Sequence, residues 1–395
     1  MTCRNGLEVE GVLNNFPTLY PDELFYSAIA RYKQANAIDS KLGVERDIYG
    51  IDRHHKVSKS VYFPQRLGIF IERLPFSAKL SVDELIWEHT MFPYYTAFMT
   101  NEKTNAVFEA MKCGNRMSIE NMVGIPMSKI KTPQFLRYCP CCYREDVNNL
   151  GESYWRRLPQ IPGVLYCPIH KVLYKDSVVD VTTANLDYVC ANDDVCNEQL
   201  INDEDVAVYK DLDEIYVKNV QWLMQNRIRS PPNYISSFYI DRLREMELAS
   251  YVGNIKMMEF VKVFEEHYSI KYLELMQSAV YKEGRNSWLK LFVRNTNKNR
   301  ITLRHLLMLQ FLNVQLAQLF EMKPVVGKRQ KRKSDRVPIF SIEERKAQWL
   351  MLITEHPNAN RKELSRINNG LFAWLRIHER EWFDEVTPKG KRGDK

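Results

Sequence analysis

Apolar positions recur along much of this chain at the three- and four-residue intervals of a helix face, and the pattern predicts a mainly α protein. After Phe16-Pro17 and Tyr20-Pro21, the acidic pair Asp22-Glu23 is expected in a first helical turn, where negative charge suits the helix dipole. Phe25, Ala28, Ile29 and Tyr32 follow as a core-facing stripe. Ser81 to Glu84 forms a capping box opening a helix through Leu85, Ile86 and His89, and Met91 to Tyr95 follows it as an aromatic cluster. His89, set among aromatic residues, reads as a core histidine rather than a metal ligand, and the same reading covers His54 and His55.

From about Asn185 the chain is expected to turn helical again. A helix through Tyr239, Leu243 and Met246, a turn near Gly253 and a stripe of Met257, Phe260, Val261 and Phe264 resemble a helix-turn-helix unit. A second pair runs through Trp288, Leu289 and Phe292, then Leu303, Leu306, Leu307, Phe311 and Val314. Lys290, Arg294, Lys298, Arg300 and Arg304 lie outside these stripes as a basic loop and flank. At the C-terminus, Ser341 and Glu344 cap a helix carrying Trp349, Leu350 and Ile353, which His356-Pro357 stops. Asn360 and Glu363 cap a short helix ending near Asn369-Gly370. A third helix buries Leu371, Trp374, Leu375, His378 and Trp382 and shows Phe372, Arg376, Glu379 and Arg380 on its other face. Three helices with a short middle one describe a helix-turn-helix domain, whose last helix normally enters the major groove.

One stretch breaks the helical pattern and brings its own chemistry. Between Tyr138 and Tyr174 lie two ligand pairs, Cys139-x2-Cys142 and Cys167-x2-His170, each introduced by Tyr-Cys-Pro. A two-residue spacer lets both side chains of a pair converge on one ion, and two such knuckles complete a closed tetrahedral Zn²⁺ site with no position left for water or substrate. Cys141 is read as a bystander thiol, and Trp155 as an aromatic packed beside the site, with Arg156 and Arg157 solvated by default or, as the alternative, facing a phosphate backbone. Cys190-x5-Cys196 offers half of a second metal site; two free thiols are the equal alternative.

Composition narrows the class. With 395 residues, 45% hydrophobic and 12% aromatic, the chain can build sizeable cores in two or three domains. No apolar run approaches the length of a spanning helix, and the eight cysteines suit a reducing cytoplasm better than a disulfide scaffold. The net charge is +7, and seven basic residues against one acidic residue between Lys323 and Arg336 supply +6 of it (7 − 1). A polycationic strip without an apolar face suggests nucleic acid over membrane. The pattern thus divides into a helical N-terminal region (1–130), a zinc-ribbon or knuckle module (131–200), a helical helix-turn-helix-like region (201–322), a basic linker (323–337) and a C-terminal helix-turn-helix-like module (338–395). Candidate DNA contacts are Lys328, Arg329, Lys331, Arg332 and Lys333 in the linker, and Arg361, Lys362, Arg376 and Arg380 in the last module.

The knuckle stretch resembles the zinc module of the TniQ/TnsD proteins, the target selectors of cut-and-paste transposons. The shared features are Tyr138-Cys139-Pro140-Cys141-Cys142, Gly151-Glu152-Ser153-Tyr154-Trp155 and Cys167-Pro168-Ile169-His170. The Tyr20 to Leu24 entry, Ser27, Arg31 and the block Leu80 to Phe98 also match, so the resemblance covers most of 16–175. Ala373-Trp374-Leu375 to Glu381-Trp382 is similar to a signature of TnsD C-terminal modules, with Glu in place of Asp. The resemblance implies a non-catalytic selector that binds double-stranded DNA and recruits a TnsC-like AAA+ ATPase regulator, and through it the transposase. Two alternatives stay open: an adaptor for a CRISPR RNA-guided effector complex, and a zinc-containing transcriptional regulator. An enzyme is the weaker reading, since no strand-rich nuclease block and no G-x-x-x-x-G-K-[ST] phosphate loop is visible.

Overall fold

The structure, a computed structural model, describes residues 12–50, 60–115, 117–183, 187–196, 209–228, 235–251, 253–280, 288–294, 301–321 and 341–388. The chain forms two compact units, Met1–Pro324 and Val325–Lys395. His54, His55, Lys298, Arg300 and the basic stretch 323–337 lie outside the described residues.

The first unit opens with seven helices: α1 (Phe25–Ala35), α2 (Lys41–Tyr49), α3 (Leu67–Arg73), α4 (Val82–His89), α5 (Phe92–Thr96), α6 (Asn101–Cys113) and α7 (Ile119–Val123). Ser81 accepts from the Glu84 amide and caps α4 as expected. Asp22 and Glu23 stand outside α1: Asp22 has φ of 58° and Glu23 makes an isolated antiparallel bridge with Arg156. The predicted stripe of α1 widens until every residue from Phe25 to Tyr32 is buried.

The middle of the unit is a small α/β module of β1 (Phe135–Tyr138), α8 (Pro140–Leu150) and β2 (Lys175–Asp180). The two strands pair antiparallel with Arg137 opposite Asp176 and a register shift between Phe135 and Arg137. Residues 187–196, within the stretch expected to be helical, are irregular, and Val195 accepts a backbone hydrogen bond from Val178. Helices return as α9 (Lys210–Gln225), α10 (Ile235–Glu245), α11 (Met257–Tyr268), α12 (Ile270–Leu275), α13 (Trp288–Arg294), α14 (Thr302–Phe311) and α15 (Leu316–Glu321).

One apolar cluster runs from Leu13 to Leu319, so the stretches 1–130, 131–200 and 201–322 share a core. Its axis is α14, buried at all ten positions. A helix enclosed on every side must satisfy its polar side chains internally. Thr302 donates to the Tyr94 carbonyl at 2.7 Å, His305 Nδ1 meets the Tyr239 hydroxyl at 2.8 Å, and Gln310 donates to the Leu212 carbonyl at 3.1 Å. Arg304, expected on a basic flank, is instead buried with its guanidinium 4.7 Å from the Trp288 ring centre, and burial lowers its pKa to about 10.

The second unit contains α16 (Ile342–Glu355), α17 (Arg361–Ile367), α18 (Asn369–His378) and α19 (Arg380–Val386) around Trp349, Leu364, Leu371, Leu375 and Phe383. Trp349 donates its indole N–H to Thr387 at 2.9 Å. Both halves of the Asn360–Glu363 capping box are present. Asn369-Gly370 opens α18 rather than closing α17, because the Asn368 side chain accepts from the Leu371 amide. The expected single last helix breaks at Glu379, which Lys346 of α16 holds at 2.6 Å. The break turns Phe383 into the core, leaving Trp382 half-buried and His378 exposed.

Candidate metal centre

The site is assembled from two tight turns. β1 delivers Cys139 to the N-cap of α8, with Pro140 at the first helical position, where its fixed φ and missing N–H suit the turn. The Cys139 sulfur accepts from the Cys142 amide at 3.5 Å, so the first knuckle is a helix cap made by a thiol. The second knuckle is a tight loop closed by a bridge between Tyr166 and Leu173, with the Cys167 amide donating to the Val172 carbonyl at 2.9 Å. Lys171, just after His170, takes the left-handed φ of 58° that turns the chain back.

These turns bring the Cys139, Cys142 and Cys167 sulfurs and one His170 ring nitrogen within 4.8 Å of one another. His170 Nδ1 lies 3.5, 3.3 and 3.7 Å from the three sulfurs in chain order, and Cys142 Sγ is 3.7 Å from Cys167 Sγ. A tetrahedron with Zn–S of about 2.3 Å and Zn–N of about 2.0–2.1 Å has edges of about 3.5–3.8 Å, so the donor set fits a structural zinc ion. The far ring nitrogen, His170 Nε2, is 2.9 Å from Glu145 on α8, a carboxylate placed to fix the imidazole tautomer. Cys141 is half-buried and stays out of the ligand set. Cys190 and Cys196 gather no third ligand among the described residues. Burial pushes their thiols up to about 11 and about 12.

The segment between the knuckles is sewn to the N-terminal region, a feature the sequence reading missed. The Leu24 amide donates to the Trp155 carbonyl at 2.9 Å, and the Arg157 amide to the Asp22 carbonyl at 2.8 Å. Trp155 is fully buried and donates from its indole to the Val189 carbonyl at 2.7 Å. Neither following arginine is solvated. Arg156 grips Asp146 with two bonds of 2.6 and 2.8 Å, and Arg157, 5% exposed, pairs with Asp22 at 3.0 Å. Arg31 joins the fully buried Glu23 at 3.0 Å to Glu152 at 2.7 Å, and its guanidinium lies 4.1 Å from the Tyr20 ring centre. His89 Nδ1 sits 2.9 Å from the Glu23 carbonyl, a satisfied core histidine. The signal for this network was four acids (Asp22, Glu23, Asp146, Glu152) and three arginines placed beside aromatic or apolar residues, where solvated charges are uncommon.

In the second unit, Arg361 is half-buried, paired with Asp384 at 2.8 Å and set 5.3 Å from the Phe383 ring centre. Lys362, Arg376 and Arg380 are exposed. Arg376 and Arg380 stand on different helices, yet both line one shallow depression with Asn369, Ala373 and Ile377.

Fold and site together define a class: mainly helical proteins organised around a four-ligand Cys/His module and followed by further helical units. The family model TniQ matches residues 15–173, and the model described as Tn7-like transposition protein D matches 217–330 and 323–394. The Transposon Tn7 transposition protein TnsD of Escherichia coli is 33% identical over 169 residues, which take in 42% of this chain and 33% of that protein. The chain belongs to the TniQ/TnsD family, on its TnsD branch. No helix among the described residues is long and apolar enough to cross a membrane.

Proposed function

We propose that the chain is a non-catalytic target-site selector of a DNA transposon, acting in the bacterial cytoplasm. It binds attachment-site DNA and recruits a AAA+ ATPase regulator and, through it, the transposase. The observation that carries this reading is the pairing of a TniQ match over 15–173 with a TnsD-type match over 217–394 in one chain. Zn²⁺ bound by Cys139, Cys142, Cys167 and His170 supplies folding energy, since four protein ligands leave no open position. The linker cations Lys328, Arg329, Lys331, Arg332 and Lys333 act on phosphates, and Arg376 and Arg380 contact the duplex from the exposed side of α18 and α19.

The test is to map insertions in cells that carry the transposon with and without this chain. Clustering at one chromosomal site that disappears with the chain, and a footprint of the purified protein at that site, are expected. Insertions that follow a guide RNA, with no footprint by the protein alone, would replace direct DNA reading by the RNA-guided adaptor. In binding assays Arg376→Ala should weaken the specific site more than random DNA, by about 1–3 kcal/mol if it contacts guanine.

A further inference from the structure

Two cavities of the first unit, of about 320 and 230 Å³, share Pro168 and Gln221 in their walls, and the first also borders the metal centre at Cys139, Cys142 and Cys167. Through these shared residues they adjoin, and together they make a furrow between the second knuckle and α9. Its α9 wall runs from Lys210 to Gln225, roughly 22 Å at 1.5 Å of rise per residue. An extended peptide at about 3.3 Å per residue covers that length in about seven residues. The furrow is apolar at Tyr138, Tyr154, Ile169, Tyr174, Val217 and Met224, and Ile169 is 71% exposed.

Charge along the furrow is one-sided. Six cations line it: Arg137, Arg156, Arg157, Lys171, Lys210 and Lys218. The three lining carboxylates are already engaged. Asp22 pairs with Arg157, Glu214 pairs with Lys171 at 3.1 Å, and Asp213 is buried and accepts from the Tyr272 hydroxyl at 3.0 Å. Arg156 is held by Asp146. Arg137 donates to the Ile161 carbonyl at 2.9 Å and feels the charge of Asp176, and Lys210 and Lys218 share the field of Glu214 with Lys171. Each cavity therefore combines apolar wall with an excess of cations over carboxylates. A duplex is too broad to enter cavities of this size, whereas an extended chain with carboxylates flanking apolar side chains meets both demands.

We propose that this furrow is a docking groove for an extended acidic segment of a partner protein, its carboxylates meeting Arg137, Lys210 and Lys218 and its apolar side chains filling the two cavities. The proposal is independent of the DNA reading, and its test needs no target site. A displayed library of random heptapeptides is selected on the full-length, zinc-loaded chain. Selected peptides should be rich in Asp and Glu interleaved with Leu, Ile or Phe. Their affinity should fall at least tenfold in Lys210→Glu/Lys218→Glu, a change at two exposed positions that leaves the core intact. Gln221→Trp, which obstructs the junction of the cavities without altering charge, should weaken the same peptides. Selection without acidic enrichment, or equal binding to the wild-type chain and both variants, would overturn the groove. So would a seven-nucleotide oligothymidylate that outcompetes every selected peptide, which would assign the furrow to single-stranded nucleic acid.

Discussion

His170 turns Nδ1 toward three sulfurs and Nε2 toward Glu145, so its tautomer is fixed from outside the ligand set. Glu145→Ala should weaken zinc binding by about tenfold, the low end for such partners because Glu145 is 60% exposed. Glu145→Gln, which keeps an acceptor, should recover part of that loss in chelator competition; equal affinity in all three proteins would leave Glu145 without a role. The ligands themselves were legible because each pair sits within one turn of chain. The pairs Arg31–Glu152 and Arg157–Asp22 were not, since their partners lie 121 and 135 residues apart. Arg31→Ala strands a buried Glu23 and should cost about 3–5 kcal/mol in denaturant melts near neutral pH. The deficit should shrink on acidification. Burial already holds the Glu23 carboxyl above its ordinary value, so its charge penalises the folded state increasingly as pH rises through that range, and protonation relieves it.

A helix face that meets solvent on one side was legible from period, as in α4, whereas α1, buried on all sides from Phe25 to Tyr32, and α14 were not. A helix buried all round offers no polar face to set its phase, and Arg304 looked like a surface cation because only the tertiary fold places Trp288 beneath it. The break between α18 and α19 was hidden because no Pro or Gly marks it; Glu379 leaves the helical region at φ −136° and ψ 48° and pairs with Lys346 of another helix. α9 holds the converse case, a buried carboxylate with one oxygen bonded to Tyr272 and the other unpartnered. Burial raises Asp213 from 3.8 to about 6. Its folded pKa lies above the unfolded one, so the penalty is absent below about pH 4 and complete above pH 6. Asp213→Asn should therefore stabilise the chain at pH 7.5 by about 1–3 kcal/mol and have little effect at pH 4. A variant less stable at pH 7.5 would show the Tyr272 bond to outweigh the buried charge.

Two separate cores imply two separable stabilities. A fragment of residues 325–395 should fold alone with a cooperative thermal transition. Chelation of metal from the full chain should lower the transition of the first unit and leave that of the fragment unmoved, as read by calorimetry; a shift of both would deny the division. Within the first unit, the stitching of the N-terminal region to the knuckle segment also sets a clock. Arg31 and Asp22 leave the ribosome long before Glu152 and Arg157, the residues that complete their pairs. At about 5–20 residues per second, the wait is on the order of ten seconds. During that interval the buried run Phe25 to Tyr32 can pack on Phe16 and Phe70, but the Leu24 amide and the Ser27 hydroxyl still lack Trp155. The N-terminal region is thus made first and sealed last, its final hydrogen bonds waiting on the segment between the two knuckles.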